Sequence, residues 1–197
     1  MTPVPEPLTQ ESILETAEEV LRRFGPAKTT VLDVARALDV SHGSVYRHFP
    51  SKAALRDAVT ERWLDRISAP LAEVAGGPEP AGARLPAWVR LLAATKQGIA
   101  REDPELFATF ARVTTESREV VAAHVAHLVD QLAGIVADGV TAGDFTADDP
   151  VRAGRAVLQA TALFHHPAHA EEWGDPDLGA HLEAVLDLLL DGLRPRR

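Results

Sequence analysis

Apolar residues recur at intervals of three and four along almost the whole chain, and this periodicity constrains the fold more than any other feature of the sequence. The first run of this kind contains Ile13, Leu14, Ala17, Val20, Leu21 and Phe24. No stretch alternates apolar and polar residues between hairpin turns, as a half-buried strand would. The sequence therefore predicts an all-α protein of about nine helices.

Capping residues, glycines and prolines divide this periodicity into segments. Four hydroxyl residues stand where helices are expected to begin, namely Thr9, Thr30, Ser41 and Ser51. Gly25 and Pro26 are expected to end the first helix. An extended arm is predicted before it from Pro3, Pro5 and Pro7. Later helices are predicted at about 86–101, 104–115, 117–139, 150–164 and 177–193.

Residues 75–86 contain three prolines and three glycines and are predicted to form a loop. The helix that begins near Ser51 is long enough to reach this loop from a small N-terminal module. The sequence therefore predicts two domains: a three-helix DNA-binding domain over residues 8–67, and a larger helical domain over residues 68–197.

The charge of the chain is divided unevenly. The net charge of −9 by itself argues against a nucleic-acid partner, because phosphates are neutralised by cations. However, residues 22–56 hold seven cations against two anions, whereas residues 68–197 hold 11 cations against 19 anions. We therefore expect a small basic surface on an acidic protein.

The compartment is predicted from what the sequence lacks. There is no cysteine, which fits a reducing environment. The N-terminus has no basic and apolar signal segment, and no uninterrupted apolar run approaches the ~20 residues of a membrane span. We expect a cytoplasmic protein with no membrane partner.

Two predicted helices of about eight residues, joined by Asp39 and Val40, form a helix-turn-helix candidate. The apolar residues of this segment fall on inward positions, namely Val31, Val34, Ala35, Leu38, Val40, Val45 and Phe49. The second helix must then present its other residues outward, namely His42, Gly43, Ser44, Arg47 and, at the edge, Tyr46. An exposed helix of this composition can enter the major groove of DNA.

Residues 29–55 read TTVLDVARALDVSHGSVYRHFPSKAAL, and this run resembles the DNA-binding domain of the TetR family of bacterial transcriptional regulators. The resemblance covers residues 8–67, and beyond them the helical layout is similar, as is GVTAGDF at 139–145, which resembles a common linker of the family. It implies that bases are contacted by His42, Gly43, Ser44 and Arg47. It also implies that phosphates are bound by Thr30, Tyr46, His48 and Lys52. For Tyr46, a half-buried packing role is an equal alternative.

One residue departs from the family pattern. Asp39 stands in the turn where many relatives have glycine. Aspartate tolerates the left-handed conformation better than most residues, so we expect the turn to be retained.

The resemblance further implies a homodimer and a pocket for a small-molecule effector in the larger domain. The dimer interface is predicted at Val157, Leu158, Leu182, Val185, Leu186 and Leu189, although these residues could instead pack within one chain. An apolar effector pocket is predicted at Trp88, Leu92, Phe107, Phe110 and His124, where ordinary core residues would show the same pattern.

Six of the eight histidines lie after residue 68. His165 and His169 have the spacing of a metal pair on a helix, but Pro167 between them would break that helix. We therefore predict no metal and no cofactor. No nucleophile, phosphate-binding or paired acid/base motif indicates an enzyme.

These observations predict a sequence-specific DNA-binding transcriptional regulator. We expect a homodimeric repressor that binds a palindromic operator in double-stranded DNA and is released by a small molecule. An activator of the same family is the alternative. Two further alternatives belong to other classes: a metal-dependent hydrolase that uses the C-terminal histidines, and an interaction module whose helix-turn-helix no longer binds DNA.

Overall fold

The computed structural model describes residues 8–25 and 29–195. The predicted arm at Pro3, Pro5 and Pro7 and the stop at Pro26 lie outside these residues. The described chain contains ten α-helices, one 3-10 helix and no strand, which confirms the all-α prediction. The helices are α1 Gln10–Phe24, α2 Val31–Ala37, α3 His42–His48, α4 Lys52–Ala75, α5 Ala81–Glu102, α6 Pro104–Glu116, α7 Arg118–Ala142, α8 Pro150–Ala160, α9 Ala162–His165, the 3-10 helix Pro167–Gly174 and α10 Leu178–Leu193.

The predicted helix caps are present. The hydroxyls of Thr9, Thr30, Ser41 and Ser51 each accept a hydrogen bond from a backbone N–H in the first turn of the helix that follows, at N···O distances of 3.0–3.3 Å. Gly25, with a φ of 71°, ends α1 as predicted. These local bonds fix where the four N-terminal helices begin.

The chain divides into two compact units. The first contains Met1–Trp63 and Glu105–Val121, and the second contains Leu64–Pro104 and Ala122–Arg197. The first unit thus includes α6, a segment placed in the C-terminal domain by the sequence. Folding of residues 8–67 as a separate domain stays a prediction.

The core of the first unit is built from the residues expected to point inward. Val34 and Val45 are fully buried, and Val31, Ala35 and Phe49 are each less than a tenth exposed. Leu38 and Val40 are half-buried. Elsewhere in this unit the ring of Trp63 on α4 stacks on that of Phe110 on α6, with centroids 4.4 Å apart.

The loop predicted at 75–86 is shorter in the structure. α5 begins at Ala81, so only residues 76–80 connect α4 to α5. Pro86 lies inside α5 and is buried with Leu85 and Trp88. A proline removes one backbone hydrogen bond, but burial of neighbouring apolar side chains stabilises helices more than local preference does.

The predicted helix at 150–164 is divided in two at Thr161. The Thr161 hydroxyl donates to the Val157 carbonyl at 2.9 Å, and the Thr161 backbone leaves helical geometry with a ψ of 8°. Such a side-chain bond competes with the helical backbone bonds. This division and the unpredicted 3-10 helix explain why the structure has more helices than the nine expected.

α7 is long and apolar enough to cross a membrane by length and composition alone. Its inner face is nevertheless buried in the second unit from Leu128 to Gly139. Trp88 on α5 donates to Gln131 on this face at 2.8 Å. α7 is therefore a core helix of the second unit, with its other face exposed.

α8 packs closely on α7 at Gly154. A Cβ atom there would lie 2.8 Å from the backbone nitrogen of Ala133 and 3.1 Å from the carbonyl oxygen of Val129. Neither backbone atom can move aside without displacing α7, so only glycine fits at this point of the second unit.

We expect Gly154→Ala to lower the free energy of unfolding by about 1–3 kcal/mol, because the added methyl group overpacks the contact. Gly134 is the matched control: it lies in α7 with no atom within 4 Å of its Cβ position. Gly134→Ala should raise stability by about 0.5–1 kcal/mol through helix propensity. Urea denaturation would measure both, and a stable Gly154→Ala protein would contradict the close contact.

Candidate nucleic-acid interface

α2 and α3 are joined by a turn whose geometry depends on Asp39. Asp39 has a φ of 53° and is the only described non-glycine residue with a positive φ. The Val40 N–H donates to the Ala35 carbonyl at 3.0 Å and closes the turn. The prediction that aspartate would adopt the left-handed conformation is confirmed.

α3 turns one residue inward and several outward. Val45 is fully buried, whereas His42, Gly43, Tyr46 and Arg47 are exposed. Ser44 and His48 are half-buried. The structure thus brings the predicted base-contacting residues together on one accessible face of a helix.

Hydrogen bonds and a ring contact connect the side chains of this face. The Ser44 hydroxyl lies 2.9 Å from that of Ser41 and accepts from Arg47 Nη2 at 3.3 Å. The His42 and Tyr46 rings meet edge to face, with centroids 5.4 Å apart. Tyr46 is 39% exposed, so its roles as a phosphate ligand and as a packing aromatic both stay predictions.

Thr30 and Lys52, two of the predicted phosphate ligands, line the same small cavity of about 40 Å³ in the first unit. Both side chains belong to exposed residues at helix starts, where backbone N–H groups favour an anion. The Thr30 hydroxyl donates to Asp33 Oδ2 at 2.5 Å, and this bond is the main reason that the pKa of the Asp33 carboxyl is lowered. A phosphate bound by Thr30 would therefore approach a negative charge.

The basic window contains fewer available cations than its composition indicates. Arg56 donates to Glu116 at 2.9 Å and to Asp57 at 3.2 Å, so its charge is neutralised within the first unit. Arg36 lies 3.7 Å from Asp33. Lys28 lies outside the described residues. Arg47 is exposed on α3 and Lys52 at the start of α4, and Arg22 and Arg23 are exposed in the last turn of α1.

Sequence reasoning missed a polar cluster at the junction of α6 and α7. The Ser117 hydroxyl is buried, donates to Asp57 at 2.7 Å and accepts from Arg56 at 3.2 Å. Thr60 lies within 3.3 Å of the same hydroxyl. Ser117 is about sixty positions from the three α4 residues along the chain, and no local pattern would have paired them.

Two family profiles match the chain. Residues 13–59 match the profile of bacterial regulatory proteins of the tetR family, and residues 81–186 match the tetracyclin repressor-like, C-terminal domain. The second match alone spans more than half of the chain. The chain belongs to the TetR family. It is a DNA-binding transcriptional regulator, as the sequence predicted.

Individual relatives agree with this assignment. The HTH-type transcriptional repressor KstR2 of Rhodococcus jostii is 26% identical over 98% of both chains. The probable acrEF/envCD operon repressor of Escherichia coli K12 is 37% identical, over 30% of this chain and 26% of its own. A TetR transcription regulator from Haloarcula marismortui has the same fold, with a TM-score of 0.72 and 19% identity over 94% of this chain and 98% of its own.

The predicted effector residues of this TetR-family regulator lie in both units. Phe107 and Phe110 are buried in the first unit. Trp88 and Leu92 are fully buried in the second unit, which also holds the half-buried His124. Burial of this kind is shared by core and pocket residues, so the effector pocket stays a prediction.

The predicted dimer residues are largely covered within one chain. Val157, Leu158, Leu182 and Leu186 are each at most 8% exposed, and Val185 and Leu189 are half-buried. The same helices also carry more exposed apolar residues, of which Leu188 is 74% and Val151 49% exposed. An interface formed by α8 and α10 would bury these two side chains.

The C-terminal histidines are separated by the helix break expected at Pro167. His165 ends α9 and is buried, with its Nε2 3.2 Å from the Leu158 carbonyl, whereas His169 lies in the 3-10 helix, 3.6 Å from Glu172. Among the described residues no group of three potential metal ligands occurs.

The Asp39 turn can be tested by substitution. Asp39→Val should lower the free energy of unfolding by about 1–2 kcal/mol, because a β-branched residue is strained at positive φ. Asp39→Gly removes the strain and should match or slightly exceed the wild type. Urea denaturation would compare the three proteins, and equal stability of the Val and Gly variants would contradict a left-handed turn.

Acid should weaken the second unit through two histidines, the half-buried His124 and the buried His165. Burial lowers the pKa of His124 and of His165 from 6.5 to about 4. Between these values the unfolded chain binds more protons, so their contribution is complete above about pH 6.5 and is lost as the pH falls through 4. Above about pH 6.5 each histidine should contribute about 1–3 kcal/mol to the free energy of unfolding.

The test compares the wild type with the double variant His124→Gln/His165→Gln at about pH 7 and about pH 4.5. Carboxylates titrate equally in both proteins and cancel. The variant should lose less free energy of unfolding between the two pH values, and an equal loss would show that the two imidazoles are not responsible.

Proposed function

We propose that the protein is a homodimeric repressor that binds a palindromic operator through α3 and leaves it when a small molecule binds to the second unit. The observation that carries the proposal is the exposed face of α3, where Arg47 and His42 lie beside Gly43, which has no side chain. This face combines hydrogen-bond donors with room for a close approach of the backbone to DNA.

The proposed contacts fall into two classes. Arg47, His42, Ser44 and the backbone at Gly43 would meet base edges and read the sequence. Thr30, Tyr46, His48 and Lys52 would bind phosphates and fix the position of α3. A helix of seven residues spans only a few base pairs, which is too little for an operator. Two copies about 34–36 Å apart would read successive turns of the major groove, and this need supports the dimer.

Release by an effector is supported by the way the chain continues through α7. The first unit ends within α7 at Val121, and the second resumes at Ala122. The Ser117 cluster binds the start of this helix to α4, and α4 follows α3 directly along the chain. A ligand that shifts α7 in the second unit would therefore act on Asp57 and, through α4, on the position of α3.

Relatives named as repressors support repression rather than activation. A regulator of bacterial genes must reach the chromosome, so we place the protein in the cytoplasm. The acidic remainder of the chain would repel the phosphates of DNA, so that DNA would approach mainly at the basic face.

Two substitutions separate base reading from phosphate binding. Arg47→Ala should weaken binding to the operator by about 1–3 kcal/mol and relax base preference, because a guanidinium pairs with base edges. Lys52→Ala should weaken binding to every sequence and flatten the salt dependence by about one phosphate contact. Fluorescence anisotropy with operator and random duplexes would measure both.

Arg155→Ala, at an exposed arginine of α8, is the control and should leave DNA binding unchanged. Equal losses on operator and random DNA for Arg47→Ala would remove this residue from base recognition. Undiminished binding in both the Arg47 and Lys52 variants would refute α3 as the reading helix.

A further inference from the structure

We propose that the effector is an organic acid whose anionic group binds between Lys96 of α5 and His124 of α7, with its apolar part among the neighbouring leucines. This inference rests on the proposed function, since it assigns a chemical class to the effector of the second unit. It replaces the expectation of a purely apolar effector.

The register of α5 against α7 places Lys96 and His124 at the same height along the two helix axes. We call this height the Lys96–His124 level. Arg84 Nη2 donates to Asp138 at 2.8 Å, and Trp88 donates to Gln131 at 2.8 Å, so the two helices run antiparallel. Two turns beyond Trp88 on α5 lies Lys96, and two turns before Gln131 on α7 lies His124.

A third helix reaches the same level. Gln97, next to Lys96, donates its side-chain amide to the Phe164 carbonyl of α9 at 2.8 Å. His165 follows Phe164 and is only 8% exposed. Lys96, His124 and His165 therefore come from three helices to one level of the second unit.

The chemistry of this level favours an anion. Lys96 is only 7% exposed, and burial lowers its pKa to about 8, so the ammonium is still mostly charged at neutral pH. A buried positive charge is stabilised most by a negative group within hydrogen-bond distance. A cationic ligand would be repelled there.

His124 supplies a second donor. Within the part of the chain that the structure describes, His124 Nε2 is buried and has no hydrogen-bond partner. Burial first, and then the charge of Lys96, keeps the pKa of this imidazole at about 4. It is neutral at pH 7, and its one N–H can be directed to a ligand oxygen.

Apolar side chains lie beside these groups. One turn away are Leu92 on α5 and Leu128 on α7, both buried. A separate cavity of about 230 Å³ is lined by Ala93, Gln97 and Phe164, of which Gln97 and Phe164 are the chain neighbours of Lys96 and His165. The arrangement fits an acid with a hydrocarbon or aromatic body.

The test uses butanoate, octanoate, dodecanoate and benzoate, each paired with its primary amide, and measures affinity by titration calorimetry. The wild type should bind at least one acid about tenfold or more tightly than its amide, since only the acid offers a charge. Lys96→Met should weaken binding of that acid by about tenfold to a hundredfold and leave binding of the amide unchanged.

Controls separate the site from general effects. Arg101→Met removes an exposed charge from the same helix and should keep the preference for the acid. The melting temperature of the ligand-free Lys96→Met variant is measured beside that of the wild type, so that a loss of binding is separated from a loss of folding. Lys96→Gln should reproduce its binding loss, and His124→Phe should weaken the acid by about threefold to tenfold.

The proposal is overturned if no acid is preferred over its amide, or if Lys96→Met keeps the preference. Operator binding is measured in parallel, with a duplex that the protein selects from random DNA. An acid that binds through Lys96 without releasing the operator would support the site and contradict release by an effector. A protein that binds the acid through Lys96 but selects no DNA would support the acid site and contradict operator binding.

Discussion

The position of α3 depends on the burial of one small side chain. α3 has seven residues, which is too short for a helix to be stable by itself. Val45, fully buried at its centre, and Phe49, just after its end, fix its rotation against the first unit. The Asp39 turn sets the angle at which it follows α2. Because Val45 points inward, His42 and Arg47 must point outward.

Electrostatics then decides where the surface can meet DNA. The net charge of the chain is negative, and part of the basic window is neutralised internally by the contacts of Arg56. What remains near α3 is a small number of exposed cations at helix starts and on the reading face. Such charges act over about 10 Å at ordinary ionic strength, so they act on a duplex already close to α3. The same internal pairs serve a second purpose, because they bind α4 to the α6–α7 junction.

The sequence was sufficient where the determinants are local. Thr30 and Ser41 accept hydrogen bonds from residues three positions away, and Asp39 tolerates the left-handed conformation of the turn. These features fixed α2, α3 and the turn between them. The inward and outward faces of α3 follow from the position of Val45 alone. The family resemblance then assigned roles to the exposed residues.

The sequence failed where packing outweighs local preference or joins distant segments. Pro86 predicted the end of a loop, yet burial of Leu85 and Trp88 extends α5 past it. The helix predicted at 150–164 is divided at Thr161, whose side-chain bond to Val157 is not apparent from composition. The Ser117 cluster joins residues about sixty positions apart, and the level shared by Lys96 and His124 appears only when the register of two helices is known.

The central claim is that the exposed face of α3 reads base pairs as one half of a symmetric pair. Selection of bound sequences from random double-stranded DNA by the purified protein tests it most directly. The account predicts one enriched site with two-fold symmetry, whose half-sites are centred one helical turn or a whole number of turns apart. Enrichment of no sequence, or of a site without symmetry, would contradict it.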